Sequence, residues 1–193
     1  MPLEKQFDRN EVLERAMSAF WMRGYSATSM QDLVEATGIN RASLYASYRD
    51  KHSLFLEALR LYARSIHFQR LADFEQRYPP LEAIRQTLLA FTPRPAAPGG
   101  NRGCFLTNTA LELSSHDPMA RKVVAQAQQQ TQAFFERMLR KAKRQGALAP
   151  GVKPAAAAEA LLASLLGLAV LNRSQPDPGL VGRIVGNALG HLG

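Results

Sequence analysis

The sequence predicts an all-α protein of about nine helices, an N-terminal three-helix head followed by a helical body. Three observations carry this expectation. No period-two run of β-branched residues marks a strand, and Ile is rare. Helix starts and stops recur along the whole chain. Apolar residues make up 46% of the 193, enough for a real core and against disorder.

The first helix has a complete start. Asp8 is a good N-cap, Glu11 completes a capping box, and Phe7 with Val12 can form a hydrophobic staple. Val12, Leu13, Ala16, Ala19 and Phe20 make one apolar face, and Gly24 ends it. Thr28 is the expected cap of the second helix, with Gln31 three residues on and Gly38 as its left-handed stop. Asn40 opens a third helix of about two turns, with Ile39 and Leu44 spaced for another staple. Asp50 caps a long fourth helix to roughly Glu75.

Pro79-Pro80 breaks the chain, and a fifth helix runs from about Leu81 to Phe91. "TPRPAAPGGNRG", residues 92–103, is the clearest loop. A sixth helix covers about 102–114. Asp117-Pro118 opens a seventh, which Gly146 closes; Pro154 opens the eighth and Asp177-Pro178 the ninth. No internal repeat is visible. The expected division is a head at 1–50 and a body at 51–193.

Charge and cysteine narrow the partners. The net charge of +8 suggests an anionic partner, yet residues 1–60 hold eight basic and eight acidic side chains, so the whole excess lies in the body. The cluster from Arg137 to Arg144 reads as a solvated helix face. The single Cys104 excludes a disulfide within the chain and points to a reducing compartment, hence a cytoplasmic protein. No basic-then-apolar signal segment opens the chain. In "AAAAEALLASLLGLAVLN" Glu159 leaves 13 uncharged residues, too few to span a bilayer; no membrane role is expected, and the segment reads as a helix buried against another.

Helices two and three, joined by a tight turn at Gly38 behind a supporting helix, form a helix-turn-helix pattern. The second helix of such a pair enters the major groove and offers its N-terminal residues to base edges. Asn40, Arg41, Ala42 and Ser43 fit that tip, with Arg41 suited to bidentate contact with guanine. Tyr45 can lie along the groove wall and donate to a phosphate, while Leu44 points inward. Thr28 and Ser29 open helix two, where free amides favour a phosphate, and Lys51 can grip the backbone.

The stretch "TSMQDLVEATGINRASLYASYRDKHSLF" resembles the DNA-binding motif of the TetR family of bacterial transcriptional regulators. Thr28, Gly38-Ile39, Leu44-Tyr45, Tyr48 and Lys51 carry the resemblance across residues 8–60. Ser47 stands where His is common and Tyr48 where Phe is common, which leaves base preference open. The resemblance adds Ser47 and Tyr48 to the candidate DNA contacts. It implies a homodimer on a near-palindromic operator in double-stranded DNA, a repressor released by a small-molecule effector, and a dimer interface built from the last two helices. "LLASLLGLAVL" and the stripe from Leu180 to Leu189 suit that interface, as they would suit an internal core helix.

"NRGCFLTNTALELSSHDP" resembles, more loosely, a branch of the family with Gly-Cys at this place, some members of which sense electrophiles. A helix N-terminus and Arg102 would favour a Cys104 thiolate; the alternative is a small buried hydrophobe. An effector pocket is expected among helices four to eight, with Tyr62, Ile66, Phe91, Phe105, Asn108, Thr109, Phe134, Phe135 and Met138 as candidates beside core packing. Asn108 needs a partner, ligand or backbone. No Gly-rich phosphate loop or Gly-x-Ser-x-Gly elbow appears, the four histidines lie far apart, and no catalytic group, metal or cofactor is expected. The rival reading is a helical ligand-binding or interaction module without DNA binding.

Overall fold

The computed structural model describes residues 8–90, 102–174 and 177–193. Among the described residues it is all helical, with no strand. The head comprises α1 (Arg9–Arg23), α2 (Met30–Thr37) and α3 (Arg41–Tyr48). α4 (Lys51–Tyr62), a π-helical stretch (Ala63–Phe68) and α5 (Gln69–Arg77) run on as one rod. The body continues with α6 (Pro80–Leu89), α7 (Phe105–Glu112), α8 (Pro118–Arg144), α9 (Pro154–Ser174) and α10 (Pro178–Gly190). Counting α4 to α5 as one, these are nine rods.

Local chemistry accounts for most boundaries. Asn40, Asp50, Asp117 and Asp177 each accept from a first-turn amide of the helix they precede. Gly38 closes α2 at φ 75°, a left-handed conformation in which a side chain is strained. Two expected caps differ. Ser29, not Thr28, caps α2, in a reciprocal capping box with Asp32. Asp8 caps α1 through the Asn10 amide, while Glu11 pairs with Arg15 instead of closing a box. The π-helical stretch has no counterpart in the sequence pattern. The sixth helix is shorter than expected, α7 beginning only after Cys104. The expected Phe7 staple, the Phe91 end of the fifth helix and residues 92–101 of the loop lie outside the described residues.

One contiguous core runs through head and body. Phe20 of α1 meets Phe55 of α4 edge-on at 5.2 Å, and Phe55 meets Phe105 of α7 at 5.6 Å. Polar ties reinforce the joint. The Glu112 carboxylate accepts from the Tyr25 and Ser26 amides at 3.1 and 2.7 Å. It lies where a Cβ on Gly24 would meet it at 2.8 Å, so Gly24, at φ 87°, has neither the space nor the conformation for a side chain. Burial alone would raise the Glu112 carboxyl, but those two amides outweigh it and hold it below its ordinary value. His52 of α4 pairs with Asp117 at 2.7 Å, and the Trp21 indole donates to the Gly103 carbonyl at 3.1 Å.

The basic cluster on α8 is more than a solvated face. Arg137 and Lys141 both grip Glu75 of α5, at 3.0 and 2.6 Å, and Arg140 pairs with Glu136. α9 differs from expectation too. It has 21 residues, and its most apolar 18-residue window has a mean hydropathy of 1.8, long and apolar enough to cross a membrane by length and composition, yet only 28% of that window is buried. It packs on α8 and α10 and leaves a small-residue face outward, with Ala156, Ala160, Ala163 and Gly167 exposed.

Candidate functional site

α3 is amphipathic in the way a groove-entering helix must be. Leu44 and Tyr48, four residues apart, turn inward and pin it to the head core. Asn40, Arg41 and Ala42 are exposed, Ser43 and Ser47 are half-buried, and Tyr45 is 39% exposed. The Arg41 guanidinium lies 5.7 Å from the Tyr45 ring centroid, with Nη2 3.5 Å from the hydroxyl. Arg41 has no carboxylate partner among the described residues. The other described cations of the head do: Arg9 with Glu57, Arg15 with Glu11, Arg23 with Asp32, and more loosely Arg49 with Asp50 at 3.9 Å. The zero net charge of the first 60 residues therefore hides a cation left free on α3.

Three of the expected DNA contacts sit differently. Tyr48 is 3% exposed; its hydroxyl donates to the Arg9 carbonyl at 3.0 Å and the Arg9 guanidinium covers its ring. It belongs to the scaffold because its place on the helix faces α1. Thr28 is fully buried and donates to the Gly24 carbonyl at 2.6 Å, closing the turn after α1. Ser29 is exposed, but its hydroxyl is engaged by Asp32 as both donor and acceptor. The Ser29 hydroxyl and amide, with Arg23 nearby, hold the Asp32 carboxyl at about 2. Lys51 is half-buried with its ammonium 4.3 Å from the Tyr25 ring centroid, and burial lowers its pKa.

The body holds a cavity of about 20 Å³ between the π-helical stretch, α7, α8 and α9. Its polar wall is His67, Cys104, Thr107, Gln128 and Thr131; Leu106, Val124, Leu162, Leu165 and Leu166 supply much of the rest. Of the expected pocket residues that are described, only Cys104 lines it. Cys104 is 4% exposed, and the Tyr62 hydroxyl donates to its sulfur at 3.7 Å. Burial, and then Cys104, push the Tyr62 hydroxyl well above its ordinary pKa. Arg102, expected to assist a thiolate, has its guanidinium 5.6 Å from the Trp21 ring centroid.

The remaining described pocket candidates are not among the residues that line this cavity. Phe105, Phe134, Phe135 and Met138 are core, and Thr109 donates to the Phe105 carbonyl of its own helix. Asn108 finds a backbone partner, the Arg102 carbonyl at 2.9 Å. Ile66 is half-buried, and Phe91 lies outside the described residues. His67, Thr107, Gln128 and Thr131 went unnoticed in the sequence. One signal was available, a threonine at position 131 in the apolar stripe from Ala120 to Met138.

Comparison with known proteins agrees with this geometry. Residues 12–58 match the family described as bacterial regulatory proteins, tetR family. Residues 78–185 match the tetracyclin repressor-like C-terminal domain. The HTH-type transcriptional regulator YezE of Bacillus subtilis (strain 168) is 37% identical over 149 residues, 77% of this chain and 76% of that protein. The HTH-type transcriptional repressor ComR of Escherichia coli (strain K12) is 35% identical over 57% of this chain and 53% of its own length. A cysteine mutant of the TetR-family regulator CifR, solved with 26-base-pair double-strand operator DNA, superposes with a TM-score of 0.81 at 27% identity, covering 97% of each chain. The reduced form of E. coli NemR shares the fold, with a TM-score of 0.83 at 17% identity over 96% of each chain. These matches describe transcriptional regulators. The chain belongs to the TetR family of DNA-binding transcriptional regulators.

Proposed function

We propose that the protein is a homodimeric, cytoplasmic repressor that binds a near-palindromic operator through α3 and leaves it when the body is altered. The observation that carries this reading is Arg41, a cation without a carboxylate partner at the tip of a helix whose opposite face is anchored by Leu44 and Tyr48. Arg41 reads guanine, Asn40, Ala42, Ser43, Tyr45 and Ser47 line the groove, and Ser29 and Lys51 approach the backbone. Thr28 and Tyr48 act behind them as supports. The head corresponds to residues 1–50 and the responding body to 51–193.

The dimer forms through α9 and α10. On α10, Gly182, Gly186 and Gly190 share the outer face, and a Cβ on any of them, as on Gly167 of α9, would meet nothing within 4 Å. A second copy laid on these faces approaches closely and covers Val170, which is 40% exposed. Two heads then address successive major grooves about 34 Å apart. Release follows from an effector in the body cavity. Modification of Cys104 is a second route to the same movement, favoured by the place of this thiol on the cavity wall.

Footprinting on DNA next to the encoding gene tests the reading. A protected near-palindrome, bound with a steep inverse dependence on salt, supports it; absent or salt-insensitive binding favours a helical module without DNA binding. Cys104→Ser separates the two release routes. If electrophile or hypochlorite still frees this variant from DNA, Cys104 is not the sensor.

A further inference from the structure

We propose that the body cavity is a binding site for a small uncharged molecule bearing one hydroxyl on an apolar body, held by Thr107, His67 and Gln128. This rests on the reading of the body as the responding half of the regulator, and it names the chemistry of what the body responds to.

The argument begins with protons. The Thr131 hydroxyl has one, and it goes to the Ala127 carbonyl at 2.8 Å. His67 Nε2, 2.8 Å from the same oxygen, must therefore be the donor of that pair. Nδ1 is left with a lone pair, and it has no partner among the described residues. Burial, then Arg70, lower the His67 pKa to about 4, so the ring is neutral at physiological pH and Nδ1 stays an acceptor. Thr107 is 6% exposed, yet its hydroxyl has no hydrogen-bond partner among the described residues. The half-buried Gln128 amide has none either. Buried polar groups in folded proteins are ordinarily satisfied. Among the described residues the sealed side-chain atom without a partner is Ser114 Oγ, while one acceptor and two groups that both donate and accept face this cavity without a protein partner.

The rest of the wall sets the selection. Among the described residues it contains no Asp, Glu, Lys or Arg. A carboxylate or ammonium entering it would lose its water without gaining a counter-charge. A hydroxyl fits on both counts, donating to His67 Nδ1 and accepting from Thr107 or Gln128. The cavity of about 20 Å³ has room for about one water. The apolar body is seated by movement of Leu162 and Leu166, half-buried residues of α9. That movement acts on the helix we assign to the dimer interface, which links occupancy to the spacing of the heads.

The test uses the full-length protein and four probes of one shape: benzyl alcohol, toluene, benzoate and benzylammonium, titrated by calorimetry or ligand-observed NMR. Benzyl alcohol is expected to bind saturably, and the other three at least about tenfold more weakly. Thr107→Val, nearly isosteric, is expected to weaken benzyl alcohol about fivefold and to leave toluene unchanged. His67→Gln, compared on the same probes, guards against a variant that fails to fold. No saturable binding of the alcohol, equal binding of either ion, or an alcohol affinity indifferent to both substitutions overturns the proposal. Operator binding measured in parallel keeps the two readings apart. Alcohol binding without DNA release upholds the site and refutes its role as the effector site. Alcohol binding by a protein that never binds DNA upholds the site and refutes the repressor.

Discussion

α3 and the body cavity are two places where this molecule presents chemistry it does not itself satisfy, and they are built in opposite ways. α3 is eight consecutive residues in which one helical period sorts the roles: Leu44 and Tyr48 inward, Arg41 and Tyr45 outward. The cavity collects His67, Thr107, Gln128 and Leu162 from four elements spread over nearly half of the chain. The electrostatics differ as well. In the head, neighbouring carboxylates neutralise Arg9, Arg15 and Arg23 and leave Arg41 as an exposed cation without a carboxylate partner among the described residues. In the cavity no charged side chain is present among the described residues, and what is unpaired there is neutral. A site that meets a polyanion in water is made by leaving a charge over; a site that meets a small molecule in the interior is made by leaving a hydrogen bond over.

The sharpest way to break this separation is Arg41→Ala. Each guanidinium–guanine contact is worth about 1–3 kcal/mol of discrimination, and a dimer loses two. Operator affinity is expected to fall by about 30-fold or more, with little change on scrambled DNA, as read by mobility shift at fixed salt. Benzyl alcohol binding should not move. A parallel loss at the cavity would mean that the two sites are not the independent constructions described here.

The same contrast explains what was legible in the sequence. Helix number, the helix-turn-helix, the caps at Asn40 and Asp50 and the inward Leu44 could all be read, because each depends on residues within one or two turns of each other. Tyr48 and Thr28 sit deeper than motif position suggests, for a related reason. Motif position identifies a residue's neighbours along the chain, but not that α1 passes close enough to take the Tyr48 hydroxyl, or that Thr28 folds back onto Gly24. The cavity was not legible beyond Cys104. Aromatic residues such as Phe134 and Phe135 look like pocket walls in a sequence, yet they fill space so well that they became the core. The actual wall joins polar side chains to leucines and Val124, none of which stands out singly. The π-helical stretch that carries His67 also shifts the helical register, so period counting from Asp50 could not place it.

A second, smaller effect sharpens the comparison by pH. His67 carries a folded pKa of about 4 against an ordinary value near 6.5. Between these values the unfolded chain binds a proton that the folded chain refuses, so stability is complete above about pH 6.5 and is lost as the pH falls towards 4. The loss attributable to this group is on the order of 3 kcal/mol at most. His67→Gln should flatten the slope of denaturant midpoint against pH across that window. In the head, Asp32, at about 2, gives up its contribution only at lower pH, from its ordinary range near 3.8 downwards. An unchanged slope in His67→Gln would show that the ring is not held neutral, and would remove the acceptor on which the cavity proposal depends.

The smallest effect tests which side of α3 does what. Tyr48→Phe removes one hydroxyl and leaves the ring under the Arg9 guanidinium. If Tyr48 is scaffold, the cost is the one neutral hydrogen bond to the Arg9 carbonyl, about 1 kcal/mol, seen as a lower melting temperature with operator affinity intact below the transition. If instead the hydroxyl meets DNA, as motif position implies, affinity falls while the melting temperature holds. The two outcomes move different instruments, so one substitution decides between packing and recognition at the point where the sequence and the fold disagree.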